Sequence, residues 1–389
     1  MPRLLALLSG LVLVAVAVVP ARQVHDQLPP TLPTVEDPRL IGVASSNRVI
    51  NGVTTTPDGR MFVSHPQVEG PGAQVSEYKN GAFVPYPNLE YNLWKPDGDR
   101  AKTLMKVNSL RVGLEGDLWV VDAGGPSVGA KAAPGAAKIV RIDLKTNTIR
   151  RTYSPPAAVM REYSYLNDIR FHGRFAYISE CAALNPALLV LDTETGQFRR
   201  VLENHPLTIA RFAMYSEGRK IVLPNPIPAW WGGTTHDKYV NVDQLEVSPD
   251  GAWLYFEAIG GPLARVRTNL LEDPAVSRDV LHDSVEKLSD TWTAAGTAID
   301  ATGTIYMSQV NTRSVMTVAP DGTVAKLISD PRLRWVDAMW IDQDGFLFMP
   351  AAQLDKTSAN LNGAPAQIQY PVHIWKMQIG RKPAPNDHR

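Results

Sequence analysis

Six stretches of the chain open with residues able to hold a polar ligand or move a proton. They begin at Asn51, at Asn108, at Asn167 with Asp168, at Asp243 with Gln244, at Gly296 with Thr297, and at Asp337. Amides hydrogen-bond in both directions, and carboxyls accept when ionised and donate when protonated. Brought to one point, such a set supports two chemistries. It could bind a hard cation such as Ca²⁺, which takes carboxylate and amide oxygens, with Asn167, Asp243 and Asp337 as the ligands. Or it could hydrogen-bond a small molecule directly, with Asp168 or Asp337 as a base whose pKa burial raises. Asn51, Asn108, Asn167, Asp168, Asp243, Gln244 and Asp337 are therefore the candidate ligand-binding set. A second candidate is PNPIPAWWGGTTHDKY (224–239), where Trp230 and Trp231 are either a loop stacking on an aromatic or cationic ligand or a hydrophobic plug. His65, His172, His205, His236 and His282 lack zinc-ligand spacing. No nucleophile elbow or phosphate loop occurs. Cys181 is the sole cysteine, so there is no internal disulfide, and its expected role is that of a small buried hydrophobe.

The elements that must position these residues repeat. VNSLRVGLEGDLWVVDAG (107–124) reads as strand, Gly-containing turn, strand. Five more copies follow the same plan: VINGVTTTPDGRMFVS (49–64), YLNDIRFHGRFAYISE (165–180), VDQLEVSPDGAWLYFEA (242–258), AGTAIDATGTIYMSQ (295–309) and VDAMWIDQDGFLFMPA (336–351). Third and fourth strands come after most copies, as in KIVRID (138–143) and ALLVLD (187–192). Four strands recurring every 40 to 60 residues or so suit a propeller blade. The expected fold is all-β, a six-bladed β-propeller over residues 39–380. A pair of β-sandwiches would also supply many short strands, but not hairpins in phase. In a propeller the first strand of each blade lines the axis, so the residues opening those strands converge on one mouth. The sixth copy lacks a fourth strand at the C-terminus, and LIGVAS (40–45) is expected to supply it and close the ring. Residues 204–240 and 270–292 read as insertions, and 381–389 as a polar tail.

The 389 residues carry no formal net charge, which argues against a nucleic-acid partner. Residues 1–21 have a charged start, an apolar run and small residues before Arg22, the pattern of a secretory signal. The apolar run is short for a membrane span. The mature protein is thus expected to be secreted or periplasmic, without stable membrane insertion. Residues 22–38 read as a polar, Pro-rich leader.

SEYKNGAFVPYPNLEYNLWKPDGD (76–99), VNSLRVGLEGDLWVVDAG (107–124), AKIVRIDLKTNTIRRTYSPP (137–156) and DPRLRWVDAMWIDQDGFLFMPAAQL (330–354) resemble the major royal jelly protein and Yellow family. The resemblance covers nearly the whole mature chain, in the manner of a bacterial, dopachrome-tautomerase-related member. It implies a six-bladed propeller, secretion, and a small-molecule ligand: some insect members bind biogenic amines or sterols, and some are linked to dopachrome conversion. The chain departs from the family pattern at Asp243-Gln244-Leu245, at Trp335-Val336-Asp337-Ala338 and at Thr293-Ala294-Ala295-Gly296, where a channel acid is missing. A weaker resemblance is to gluconolactonase and paraoxonase propellers, which hold a catalytic divalent cation on a Glu, an Asn and an Asp. Asn167 with Asp243 or Asp337 would match two of these, while Asn51 stands where an acid is wanted.

Overall fold

The computed structural model describes residues 30–94, 98–100, 102–224 and 235–388. Six four-stranded antiparallel sheets are arranged as the blades of a β-propeller. Their inner strands are Gly52–Thr55, Val107–Val112, Leu166–His172, Val242–Val247, Thr297–Ile299 and Trp340–Ile341. Each inner strand turns back through a short hairpin to the second strand. Gly116 and Gly251 take φ of 75° and 72° there, a conformation that only glycine adopts without cost. At Gly251 a side chain would also strike the His172 ring, 2.4 Å from the added carbon.

The second strands of the blades, such as Leu118–Asp122 and Ile305–Gln309, are buried along their whole length. Neighbouring blades cover both of their faces, so strict alternation of apolar and polar residues is lost there. Trp119, Val121 and Ile139 of blade two pack on Ile169, Ile178 and Leu189 of blade three. Tyr177 and Leu188 of blade three pack on Leu245 and Phe256 of blade four. The outer strand Thr148–Tyr153 is mostly exposed.

The ring closes through the N-terminus. Ile41–Ser46 pairs antiparallel with Val372–Gln378 and becomes the outer strand of blade six. Three sequence expectations need revision. Residues 270–292 are not purely an insertion, because Glu286–Ser289 forms the outer strand of blade four after two short helices. The leader is not free of the body: the Asp37 amide donates to the Asp330 carboxylate at 2.7 Å, and Arg332 donates to the Asp37 carbonyl at 2.9 Å. The polar tail returns to the axis as well. Asp387 is buried and accepts two bonds from Arg111, at 2.8 and 2.7 Å, and His388 stacks on Trp340 with ring centroids 3.7 Å apart. Buried Arg111 needs an anion, and the tail supplies it. Burial alone would raise the Asp387 carboxyl, but Arg111 and His388 hold it well below the usual carboxylate range.

Two further buried ions complete the column. Arg170 donates to Glu246 at 3.0 and 2.8 Å and to Asp168 at 2.7 Å. Thr297 donates to Glu246 at 2.7 Å. These groups seal the channel beneath its mouth. Removing one partner of such a buried pair leaves an uncompensated charge, at a cost of about 3–5 kcal/mol. Asp387→Ala is therefore expected to lower unfolding stability by about that amount in a denaturant titration, whereas Asp344→Ala, an exposed turn residue, should move it by less than about 0.5 kcal/mol.

Candidate functional site

Three inner strands carry an irregularity at the same place. The pairing register shifts between Val107 and Ser109, between Leu166 and Ile169, and between Val242 and Gln244. Asn108, Asn167 and Asp243 sit in these bulges, unpaired with the neighbouring strand. A bulge re-aims a side chain out of the strand's alternation, here toward the axis. Asn51 and Asp337 precede the regular inner strands of blades one and six, and Gly52 bridges Ala338 where those blades meet. All five residues line one cavity of about 110 Å³ at the mouth.

A directed chain of hydrogen bonds joins four of them. Asn51 donates to the Asn108 carbonyl at 3.2 Å, and the Asn108 amide donates to the Asn167 side-chain oxygen. Asn167 in turn hydrogen-bonds the Asp243 carboxyl. The Asn51 Oδ1 atom, at the start of the chain, is buried without a partner among the described residues. Beside the ring, the Asn167 amide also reaches the Cys181 sulfur at 3.5 Å. Cys181 is fully buried, and burial pushes its thiol well above the usual value, as suits an inert side chain.

The two carboxyls of the cavity are poorly solvated. Burial raises Asp337 to about 7, against the opposing bonds from the Ala338 amide at 3.0 Å and the Trp335 indole N–H at 3.0 Å. Burial also raises Asp243 well above the usual aspartate range, with charge on Asp337 and Asp168 adding to the effect. Trp335 adopts φ of 50°, a left-handed conformation rare for a bulky residue, and its indole reaches the acid from there.

The remaining expected residues lie elsewhere. Asp168 is below the mouth, tied to Arg170, so it is a counter-ion and not a free base. Gln244 does not line the cavity. It points between blades and donates to the Ala294 carbonyl at 2.8 Å, because the residue beside Asp243 faces the other way. Thr297 points down to Glu246. Gly296 brings no side chain: a carbon added there would lie 2.3 Å from the Asp337 carbonyl group, so blade six approaches the axis through that gap. Trp230 and Trp231 lie outside the described residues.

Sequence reasoning missed Lys238. It lies near the end of the long insertion, and its backbone is clamped by Met214 at 3.1 Å and Ile221 at 3.0 Å. Part of its stem is exposed, but its ammonium is enclosed at the cavity wall and donates to Asn360 Oδ1 at 2.6 Å. Burial lowers it to about 8, while Cys181 and Asp243 push the other way. No repeat phase marks Lys238 or Asn360, since both come from irregular loops.

The family model for the major royal jelly protein matches residues 105–379. The chain belongs to the major royal jelly protein family. No curated protein matches it in sequence. Among solved structures, this royal jelly-type propeller is similar to a gluconolactonase from Xanthomonas campestris, at 12% identity over 87% of this chain and 89% of that one, with a TM-score of 0.52. It is similar to regucalcin, a calcium-binding protein from Agrobacterium tumefaciens, at 12% identity over 88% and 95%, with a TM-score of 0.52. A luciferin-regenerating enzyme matches at 11% identity over 88% and 96%, with a TM-score of 0.53. At such identities the likeness extends to the fold alone.

The donor set of this royal jelly-type propeller does not fit a resident divalent cation. Ca²⁺ takes six to eight oxygens, several of them ionised carboxylates. Here both Asp337 oxygens already accept bonds, the Asn167 oxygen accepts from Asn108, and the Lys238 ammonium faces the same space. Asn51 offers one free neutral oxygen where an acid would be needed. Neither added Ca²⁺ nor a chelator should shift Tm, since a ligand of the native state stabilises it by mass action.

Asp337 also sets a pH dependence of stability. Its carboxyl keeps a proton up to about 7 in the folded chain, whereas an unfolded aspartate loses it near 3.8. Between those values the folded state binds more protons, so stability falls as pH rises through the window. Asp337→Asn should lose less stability than the parent between pH ~5 and ~8, read from denaturant midpoints at each pH.

Proposed function

We propose that this protein binds a small polar or aromatic molecule at the axial mouth and moves a proton on it, as an isomerase or tautomerase. The observation that carries this reading is one cavity lined by two buried carboxyls, Asp337 raised to about 7 and Asp243 pushed by burial well above the usual aspartate range. A pair of acids whose environments separate their protonation states can divide base and acid roles. Catalytic acids and bases work best when their pKa lies near the operating pH. A cavity of about 110 Å³ admits roughly one ring or the reacting end of a longer molecule.

In this scheme the Asp337 carboxylate takes a proton from a carbon next to a carbonyl. The C–H electron pair becomes the enol double bond, and the carbonyl π pair goes to oxygen. Asp243 gives that oxygen a proton, making the enol. In the return step a carbon conjugated with the enol takes the proton held by Asp337 through the enol π pair, the oxygen re-forms its double bond to carbon, and its proton goes back to Asp243, so both acids end as they began. Lys238 stabilises the charge on oxygen as it develops. Residues 1–21 support export to the periplasm or beyond as the setting for this chemistry.

The test is exchange of solvent deuterium into a panel of enolisable aryl ketones, followed by proton NMR. The rate should rise with pH through about 7 as Asp337 ionises. Asp337→Asn should lower it by about 10²- to 10⁴-fold. No exchange with any member, or an unchanged rate in Asp337→Asn, rejects the assignment.

A further inference from the structure

A second cavity, of about 850 Å³, adjoins the axial one and shares Val128 and Lys238 with it. Its walls come from residues 127–130, 183–186 and 236–239 with Asn204, Ile209, Ala210, Leu223 and Asn241. It is a built groove. Asn241 donates to the Ala182 carbonyl at 2.6 Å and accepts from the Ala210 amide at 2.8 Å, tying two walls together. Asn204 is bonded to Pro186 at 2.9 Å through its backbone and to Asn185 at 2.9 Å through its side chain. Three large apolar side chains nonetheless stay open to solvent along it: Leu184, 59% exposed, Tyr239, 49%, and Ile209, 39%. Lys238 stands where the groove meets the axial cavity.

Charge at that junction is one-sided. Lys238 makes no ion pair among the described residues, its partner being the neutral Asn360 oxygen. The carboxylate next to it in sequence, Asp237, is committed to Lys220 at 3.0 Å. Of the two axial acids, burial shifts Asp243 toward its neutral form, and neither acid lies within ion-pair distance of Lys238 among the described residues. Lys238 is therefore the only cation among the described residues that line the mouth, and it has no ion-pair partner there. A carboxylate is the partner that a buried ammonium lacks.

We propose that the ligand is an amphipathic carboxylate, with its anionic group on Lys238 and its apolar body along Leu184, Ile209 and Tyr239. The inference rests on the axial mouth being a ligand site, as in the preceding subsection, and adds the ligand's class. It excludes amines, since a ligand cation at this junction would meet Lys238. The axial cavity alone is too small for such a molecule, whereas the groove takes the remainder.

The experiment is calorimetric titration with three probes of one shape, phenylbutanoate, phenylbutanamide and phenylbutylamine, alongside catechol as a neutral ring for the axial cavity. A charge-assisted hydrogen bond contributes ~1.5–3 kcal/mol, so the acid should bind about tenfold to hundredfold more tightly than the amide. The amine should bind most weakly. Lys238→Met should abolish the acid's advantage and leave amide affinity near that of the parent, and Lys238→Arg should restore the preference. Ile209→Asn, at an exposed position, should weaken all three probes alike. Equal binding of acid and amide, tighter binding of the amine, or an unchanged acid affinity in Lys238→Met overturns the proposal, as does failure of all three to bind. If catechol still binds in that last case, only the ligand class falls. If catechol fails too, the axial reading falls with it.

Discussion

The structure depends on matching charge along a buried axis. Six inner strands meet there, and the side chains that face inward have only each other. Arg170 lies between Asp168 and Glu246, and Arg111 is met by Asp387 from the C-terminal segment. Pairs of this kind do not add much net stability, since desolvation offsets attraction, but breaking one is expensive. Their effect is to fix which blade faces which and to close the channel. With the lower channel filled by ions, the mouth is a blind pocket instead of a pore. That closure desolvates the two upper acids. The chemistry proposed for Asp337 thus follows from a salt-bridge network that no ligand touches.

Three bulges then convert a regular barrel of strands into a site. Without the register shifts at Asn108, Asn167 and Asp243, side-chain alternation would send these groups between the blades, as it does Gln244. The hydrogen bonds among them run one way round, from Asn51 to Asp243. A chain of donors with one direction has unlike ends. At one end is an Asn51 oxygen without a partner among the described residues, and at the other an acid that burial pushes toward its protonated form. The cavity therefore presents an acceptor at one end of this chain of hydrogen bonds, and the proposed ligand would meet that polarity as well as the charged groups.

Much of this was legible in the sequence, for a physical reason. Blades are separate hairpins in phase, so repeat counting found all six, and ring closure by residues 40–45 followed from the missing strand. Strand openings face the axis, so Asn51, Asn108, Asn167, Asp243 and Asp337 were found as one set. Asp168 was misread although its partner was visible, since Arg170 two residues on shares its strand face. Gln244 was misread because a bulge is invisible to a period-two pattern. Lys238 and the tail were out of reach. Both are placed by tertiary contacts of irregular segments, Lys238 by Met214 and Ile221 and the tail by Arg111, and neither carries a periodic signal.

Blade five makes room for Asp337 of blade six. A side chain at position 296 would collide with the Asp337 carbonyl group, so glycine there is the condition for Asp337 to reach the axis. Its approach is held by Trp335, whose left-handed backbone puts the indole N–H on the carboxyl. That hydrogen bond favours the ionised form, whereas burial favours the neutral one, and the balance falls at about 7. Either influence alone would give an acid locked in one state: an ordinary exposed aspartate is always ionised at neutral pH, and a buried one with no donor stays protonated. Tuning here is a competition between desolvation and a donor that a strained residue holds in place, and the proposed proton transfer depends on that competition, since it needs one carboxyl both to accept and to return a proton.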